Sequence, residues 1–242
     1  MIATLACLTL RALLNRRRTL LLGLLGALIV VVAMVYRLGG PAEAEALDFT
    51  ADLLGNFGLA ALLPLVAVIV GTSALGSELD DGTIVYLLAK PVPRPLIVIV
   101  KFMVASGVTG LLVALPIIVA GVIGAGGDPS LGIGYAVAAL FGALEYTAVF
   151  LALSLVTSRA LVIGLAYVVV WEGVVAGLFA GTRILSVQQH ALAVADALVD
   201  EGGVTAELAF ATALPIGVAV TIGAVVLAVR RLSLVELRGE TG

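Results

Sequence analysis

The chain alternates long uncharged runs with short polar segments, and the runs exceed what the core of a soluble domain needs. Thr19 to Tyr36 is eighteen residues without a charge, about 27 Å as a helix and just enough to cross a hydrocarbon core. It is also longer than the apolar core of a secretory signal, so it is expected to be a transmembrane helix, although Arg16, Arg17 and Arg18 precede it. Five further spans follow at about 57–77, 102–127, 131–157, 160–181 and 208–229. The second and sixth spans contain Pro64 and Pro215, and in the third Pro116 with Gly107, Gly110 and Gly121 predicts a bend. The predicted fold is therefore all-α: a single polytopic transmembrane domain, 1–242, of six helices.

Two weaker patterns complete the reading. Residues 1–15 place Ile2, Leu5, Leu8 and Ala12 near helical spacing beside Arg11, which suits an interfacial helix in the headgroup region. Between the fifth and sixth spans, Ile184, Val187, Ala191, Val194 and Leu198 recur at helical spacing opposite Gln189, Asp196 and Asp200. That stretch is too weakly apolar to span, and it is expected to lie on the membrane surface as a short extracytoplasmic helix, with His190 on its polar side. The segment from Arg37 to Asn56, with Glu43, Glu45, Asp48 and Asp52, is expected to be an acidic loop.

Composition agrees with the pattern: 62% of residues are hydrophobic and 12% charged, with a mean hydropathy of +1.24, whereas about a quarter of the residues of soluble domains are charged. One Cys and one His leave no set of soft ligands for a metal site, and Cys7 reads as a small apolar residue. Net charge, −3, says less than its distribution. With the N-terminus placed inside, Arg11, Arg16, Arg17, Arg18, Lys90, Arg94, Lys101, Arg159, Arg230, Arg231 and Arg238 fall on one side, and only Arg37 and Arg183 on the other. That asymmetry predicts cytoplasmic termini in a multi-pass cell-membrane protein.

The most informative polar interruption is GSELDDGTIVYLLAKPVPRPLIVIVK, Gly76 to Lys101. Acids precede an apolar patch and bases follow it, an order that complements the dipole of a short helix starting near Glu78. Pro91, Pro93 and Pro95 are expected to end that helix and to force an extended re-entry. Glu78, Gly82, Thr83, Leu87, Leu88, Pro91, Val92, Arg94 and Lys101 fall on a pattern that resembles the type-2 permease class of ABC transporters, ABC-2. Leu79 and Asp80 stand where many members carry charged pairs of mixed sign. The surroundings of Glu172, from Gly164 to Leu178, look like the fifth span of the same class.

This resemblance implies that the 76–95 loop is a coupling helix seated in a groove of an ABC ATPase, with Glu78, Gly82, Thr83, Ile84, Tyr86, Leu87, Pro91 and Arg94 as the coupling residues. It implies two copies of the ATPase, a second permease subunit forming a homodimer or related heterodimer, and export more often than import. ATP and Mg are expected on the ATPase, and no cofactor in this chain, which carries no GxxxxGK[ST] phosphate loop. Membrane lipid is an expected partner and nucleic acid is not. The chain is not expected to be an enzyme.

Glu145 and Glu172 are the remaining candidates, because an ionisable group within a span is expensive and marks a functional site by default. One reading is a proton site or a polar patch on a transport path. The plainer reading, favoured here, is a carboxyl that holds a packing contact through Tyr146, Thr147, Tyr167 or a neighbouring backbone. A proton-coupled secondary transporter using these two residues, and a scaffold that binds a soluble partner through the loop, are the rival functions.

Overall fold

Long apolar runs in lipid satisfy their own amides as helices, and no strand occurs among the described residues. The computed structural model describes residues 2–14, 16–80, 82, 92–199 and 206–234. In order these form α1 (Ile2–Leu13), α2 (Arg16–Leu38) and α3 (Glu43–Asp52), which continues through a π-helical stretch, Leu53–Leu62, into α4 (Leu63–Asp80). Next come α5 (Arg94–Gly124), α6 (Ser130–Val156) and α7 (Ala160–Ala166), the last running through a second π-helical stretch, Tyr167–Val175, into α8 (Ala176–Leu178). A 3₁₀ turn, Ala180–Leu185, then leads to α9 (Val187–Leu198) and α10 (Phe210–Leu234).

Six helical stretches are long and apolar enough to cross a membrane: Thr19–Leu38, Glu43–Leu79, Arg94–Gly124, Ser130–Val156, Ala160–Leu178 and Phe210–Leu234. The chain is an all-α polytopic membrane protein. Over an apolar window of 18 residues in each, 61%, 61% and 67% of the second, third and fourth stretches is buried, so these form the centre of the bundle, against 22%, 22% and 17% for the first, fifth and sixth. On those outer helices Leu21, Leu24, Val162, Val169 and Ile222 stand exposed, as lipid-facing side chains do.

The third and fourth spans cross closest where a Cβ built on Gly121 would stand 2.4 Å from the Gly132 Cα. Only glycine permits that approach, and the turn after it uses Gly126 and Gly127 at φ +68° and +108°. The Asp128 carboxylate then accepts the Ser130 N–H at 2.9 Å as α6 begins.

Three element boundaries differ from the sequence pattern. The acidic segment expected as a loop is helical from Glu43, because Glu43 and Glu45 favour a helix N-terminus while Ala46, Thr50 and Ala51 bury one side. Phe49 also stacks on Tyr36 of α2, with ring centroids 3.7 Å apart. The third span begins at Arg94 rather than Phe102: Pro93 is extended as the residue before the helix, and Pro95 falls in the first turn, where its missing N–H is harmless. Finally, α9 is not a surface helix. Val187, His190, Ala191, Val194 and Ala195 are buried in the bundle, and its alanines allow close packing against protein.

Candidate functional site

At the end of the bundle that carries the 76–95 loop, Glu78 does not open a separate helix. It lies in the last turn of α4, and Gly82, at φ +67°, closes that helix by donating its N–H to the Leu79 carbonyl at 3.2 Å. This corrects the expectation of a short helix starting near Glu78. Thr83, Ile84, Tyr86, Leu87 and Pro91 lie outside the described residues.

Both flanks of that loop are tied into the bundle. The buried Lys101 ammonium donates to Glu78 Oε1 at 2.7 Å and to the Ala74 carbonyl at 2.8 Å, joining α5 to the end of α4. Arg94 donates to the Leu232 carbonyl at 3.3 Å and to that of Ser233, in the last turn of α10, where carbonyls lack helical partners. The second, third and sixth spans therefore meet at the two roots of the loop. Beside them a cavity of about 400 Å³ opens between α4 and the α6–α7 connection, with Thr72, Ser73, Ser77, Ser154, Thr157 and Ser158 on its walls. No sequence motif marks it, although Ser73 and Ser77 share a helical face.

At the opposite end the structure brings Glu145 and Glu172 to one short segment of chain. Glu172 Oε1 accepts the Tyr167 hydroxyl at 3.1 Å and the Val187 N–H at 2.9 Å, and its Oε2 takes the Ser186 hydroxyl. Tyr167 is five residues before Glu172, which on an α-helix would set the two about 140° apart. The π-helical stretch, with its i→i+5 bonding, brings them together. Ser186 also caps α9 by accepting the Gln189 N–H at 3.2 Å.

Glu145 faces His190, whose Nδ1 lies 2.9 Å and 3.1 Å from the two carboxylate oxygens, while Nε2 lies 3.0 Å from the Ile184 carbonyl oxygen. His190 and Glu145 are 0% and 1% exposed. A Cβ on Gly217 of α10 would stand 2.8 Å from Glu145 Oε2, so the sixth span closes the back of the pair. Burial alone would lower the His190 pKa, but the hydrogen bond and charge of Glu145, the Ile184 carbonyl and Glu172 outweigh it and hold the imidazole above its ordinary value.

Glu145 and Glu172 thus act as anchors for the turn and helix between the fifth and sixth spans. The contacts differ in detail from the plainer sequence reading: Tyr167 and a neighbouring backbone take part, but Thr147 is 3.4 Å from Thr109 instead. The role of His190 was missed. Its position 45 residues from Glu145 leaves no periodic trace, and the available clue was compositional, a helix rich in Ala instead of the large apolar residues of a membrane-surface helix.

Among the described residues no group of His, Cys, Asp and Glu is arranged to hold a metal. No curated protein matches the chain. A sequence profile described as ABC-2 family transporter protein matches residues 14–189, nearly three quarters of the chain, including both roots of the loop and the Glu145, Glu172 and His-proximal segments up to Gln189. The chain, a membrane-embedded transporter component, belongs to the ABC-2 family of transporter proteins.

Proposed function

We propose that this permease couples ATP hydrolysis on a separate ATPase subunit to export of a substrate, with the 76–95 loop as the docking element. The observation that supports it is the double anchorage of the loop: Lys101 with Glu78 at one root, and Arg94 with α10 at the other. A push on the loop is thereby delivered to the ends of three spans instead of being absorbed by a slack connection. Two ATPase copies, each with ATP and Mg, and a second permease subunit complete the assembly. Nucleotide-driven closure of the ATPases rocks the two bundles about a shared path.

In this reading both termini and the loop are cytoplasmic, as the distribution of bases favours. Engagement of both intramembrane carboxylates by the α9 segment favours this reading over a secondary transporter in which they line the path. The test is purification of the tagged chain from its native membrane. A soluble ATPase with a Walker A motif should accompany it in a fixed ratio, and its consistent absence would contradict the proposal. Reporter fusions after Gly126 and Asp200 should read outside, and those after Lys90 and Gly242 inside.

A further inference from the structure

We propose that Glu145 and His190 form a proton-binding site, and that the proton held between them fastens α9 to the membrane bundle. The argument is one of donors and acceptors. A backbone carbonyl only accepts, so the contact of Nε2 with the Ile184 carbonyl requires an N–H at Nε2. A neutral imidazole with its hydrogen there presents a bare lone pair at Nδ1, and an ionised carboxylate also only accepts. Two acceptors cannot hold each other at 2.9 Å and 3.1 Å. The pair therefore contains one further proton, and the raised proton affinity of His190 places it on the imidazole. Contact and proton are stoichiometric.

Removal of that proton has nowhere harmless to go. Both groups are shielded from water, and unpaired buried acceptors are strongly disfavoured. Deprotonation is expected to separate them, and separation means movement of α9 away from α6.

The surroundings reinforce the assignment. The fourth span faces the pair with Glu145 and Tyr146, and the π-helical part of the fifth adds Tyr167 and Glu172. The sixth span presents Gly217 at this depth, and the π-helical stretch of the second, Leu53–Leu62, carries no titratable side chain. In the 3₁₀ turn Arg183 is directed to the Ala176 and Gly177 carbonyls and to Glu207. On α9 itself Asp196 is exposed. No other cation is directed at the pair among the described residues, so the proton supplies its positive charge.

The second anchor behaves differently. Glu172 accepts from Tyr167, Ser186 and Val187, all of which bring their own hydrogens, so these contacts need no further proton. The start of α9 therefore stays tethered when its middle is released, as a clasp opening on a hinge. The sign follows from the raised His190 pKa. The fastening is complete below about pH 6.5, the ordinary imidazole value, and is lost as pH rises through the higher value of the folded protein.

Because the chain has a single histidine, the test reads one site without assignment. Full-length protein, labelled with ¹⁵N-histidine, freed of any affinity tag and held in lipid nanodiscs, is titrated from about pH 5 to about pH 9 by imidazole NMR. The expected midpoint lies above 6.5, with backbone amide exchange of residues 187–198 rising beyond its intrinsic pH dependence across that midpoint. Glu145→Gln should lower His190 proton affinity at least tenfold. A wild-type midpoint at or below 6.5 overturns the proposal whatever the variant does, and so does an unchanged midpoint in a folded Glu145→Gln protein. ATPase copurification is independent of either result, so failure here leaves the permease reading standing.

Discussion

The two ends of the bundle use buried polar groups in opposite ways. At the loop end, Lys101 with Glu78 and Arg94 with the α10 carbonyls join the ends of three different spans. At the other end, Glu145 and Glu172 project from the interiors of their helices and hold one short segment, the turn and α9 that follow the fifth span. The loop end ties helix to helix, and arginine keeps its charge at any physiological pH. The opposite end ties a hairpin to the bundle through a group, histidine, whose charge changes within the physiological range. The difference teaches that much the same side-chain chemistry can tie span to span at one end of a bundle and tie a returning hairpin to the interior of its spans at the other.

The strongest way to break the comparison is to disrupt the helix crossing on which the far end is built. Gly121→Val places a side chain against the Gly132 backbone, which has no rotamer with which to yield. A loss of about 3 kcal/mol or more is expected, read as failure to accumulate as monodisperse protein in detergent.

Next in size is an asymmetry at the loop end. Glu78→Ala leaves the Lys101 ammonium, 2% exposed, without its counter-charge, whereas Lys101→Met leaves a carboxylate that is 32% exposed and can rehydrate. Breaking a buried pair costs about 3 kcal/mol when the buried member is left behind, so Glu78→Ala should lower the melting temperature clearly more than Lys101→Met. Equal or reversed shifts would show that the pair is not the fixed tie described.

At the far end Ser186→Ala removes both the α9 cap and a donor to Glu172. A loss of about 1 kcal/mol is expected, with amide exchange rising at the start of α9 and not in α4. The smallest effect belongs to Gly177→Ala, whose added Cβ meets nothing within 4 Å. Its melting temperature should match the parent, within about 0.5 kcal/mol in stability. A large loss would mean that the exposed Gly173 and Gly177 face is occupied in the assembled protein.

How much of this was legible in the sequence depended on the range of the interaction. The six spans could be read because uncharged length is a local property, and lipid dictates helix for it. The loop could be located because its charges interrupt that pattern. Helix ends were harder: Glu43 and Arg94 continue their helices past the apolar stretch, held by the Phe49 stack on Tyr36 and by a proline tolerated in the first turn. Lys101 resembled the mouth of a span because its neutralising partner, Glu78, lies 23 residues away. Glu145 and Glu172 announced themselves as intramembrane acids, but their partners in the 184–190 segment depend on a hairpin that returns into the bundle. A surface helix and a returning helix share the same periodicity, and only the packing of Ala191 and Ala195 separates them.

The central claim, that the 76–95 loop docks an ATPase, is tested most directly by the amount of ATPase retained on purified Tyr86→Ala and Leu87→Ala permease. Apolar anchors of this kind typically contribute about 1 to 3 kcal/mol to an interface. The account predicts at least a tenfold weaker ATPase association in both variants, with melting temperatures equal to the parent's, because the anchoring contacts of Glu78, Lys101 and Arg94 are left in place. Unchanged ATPase retention in both variants would contradict it.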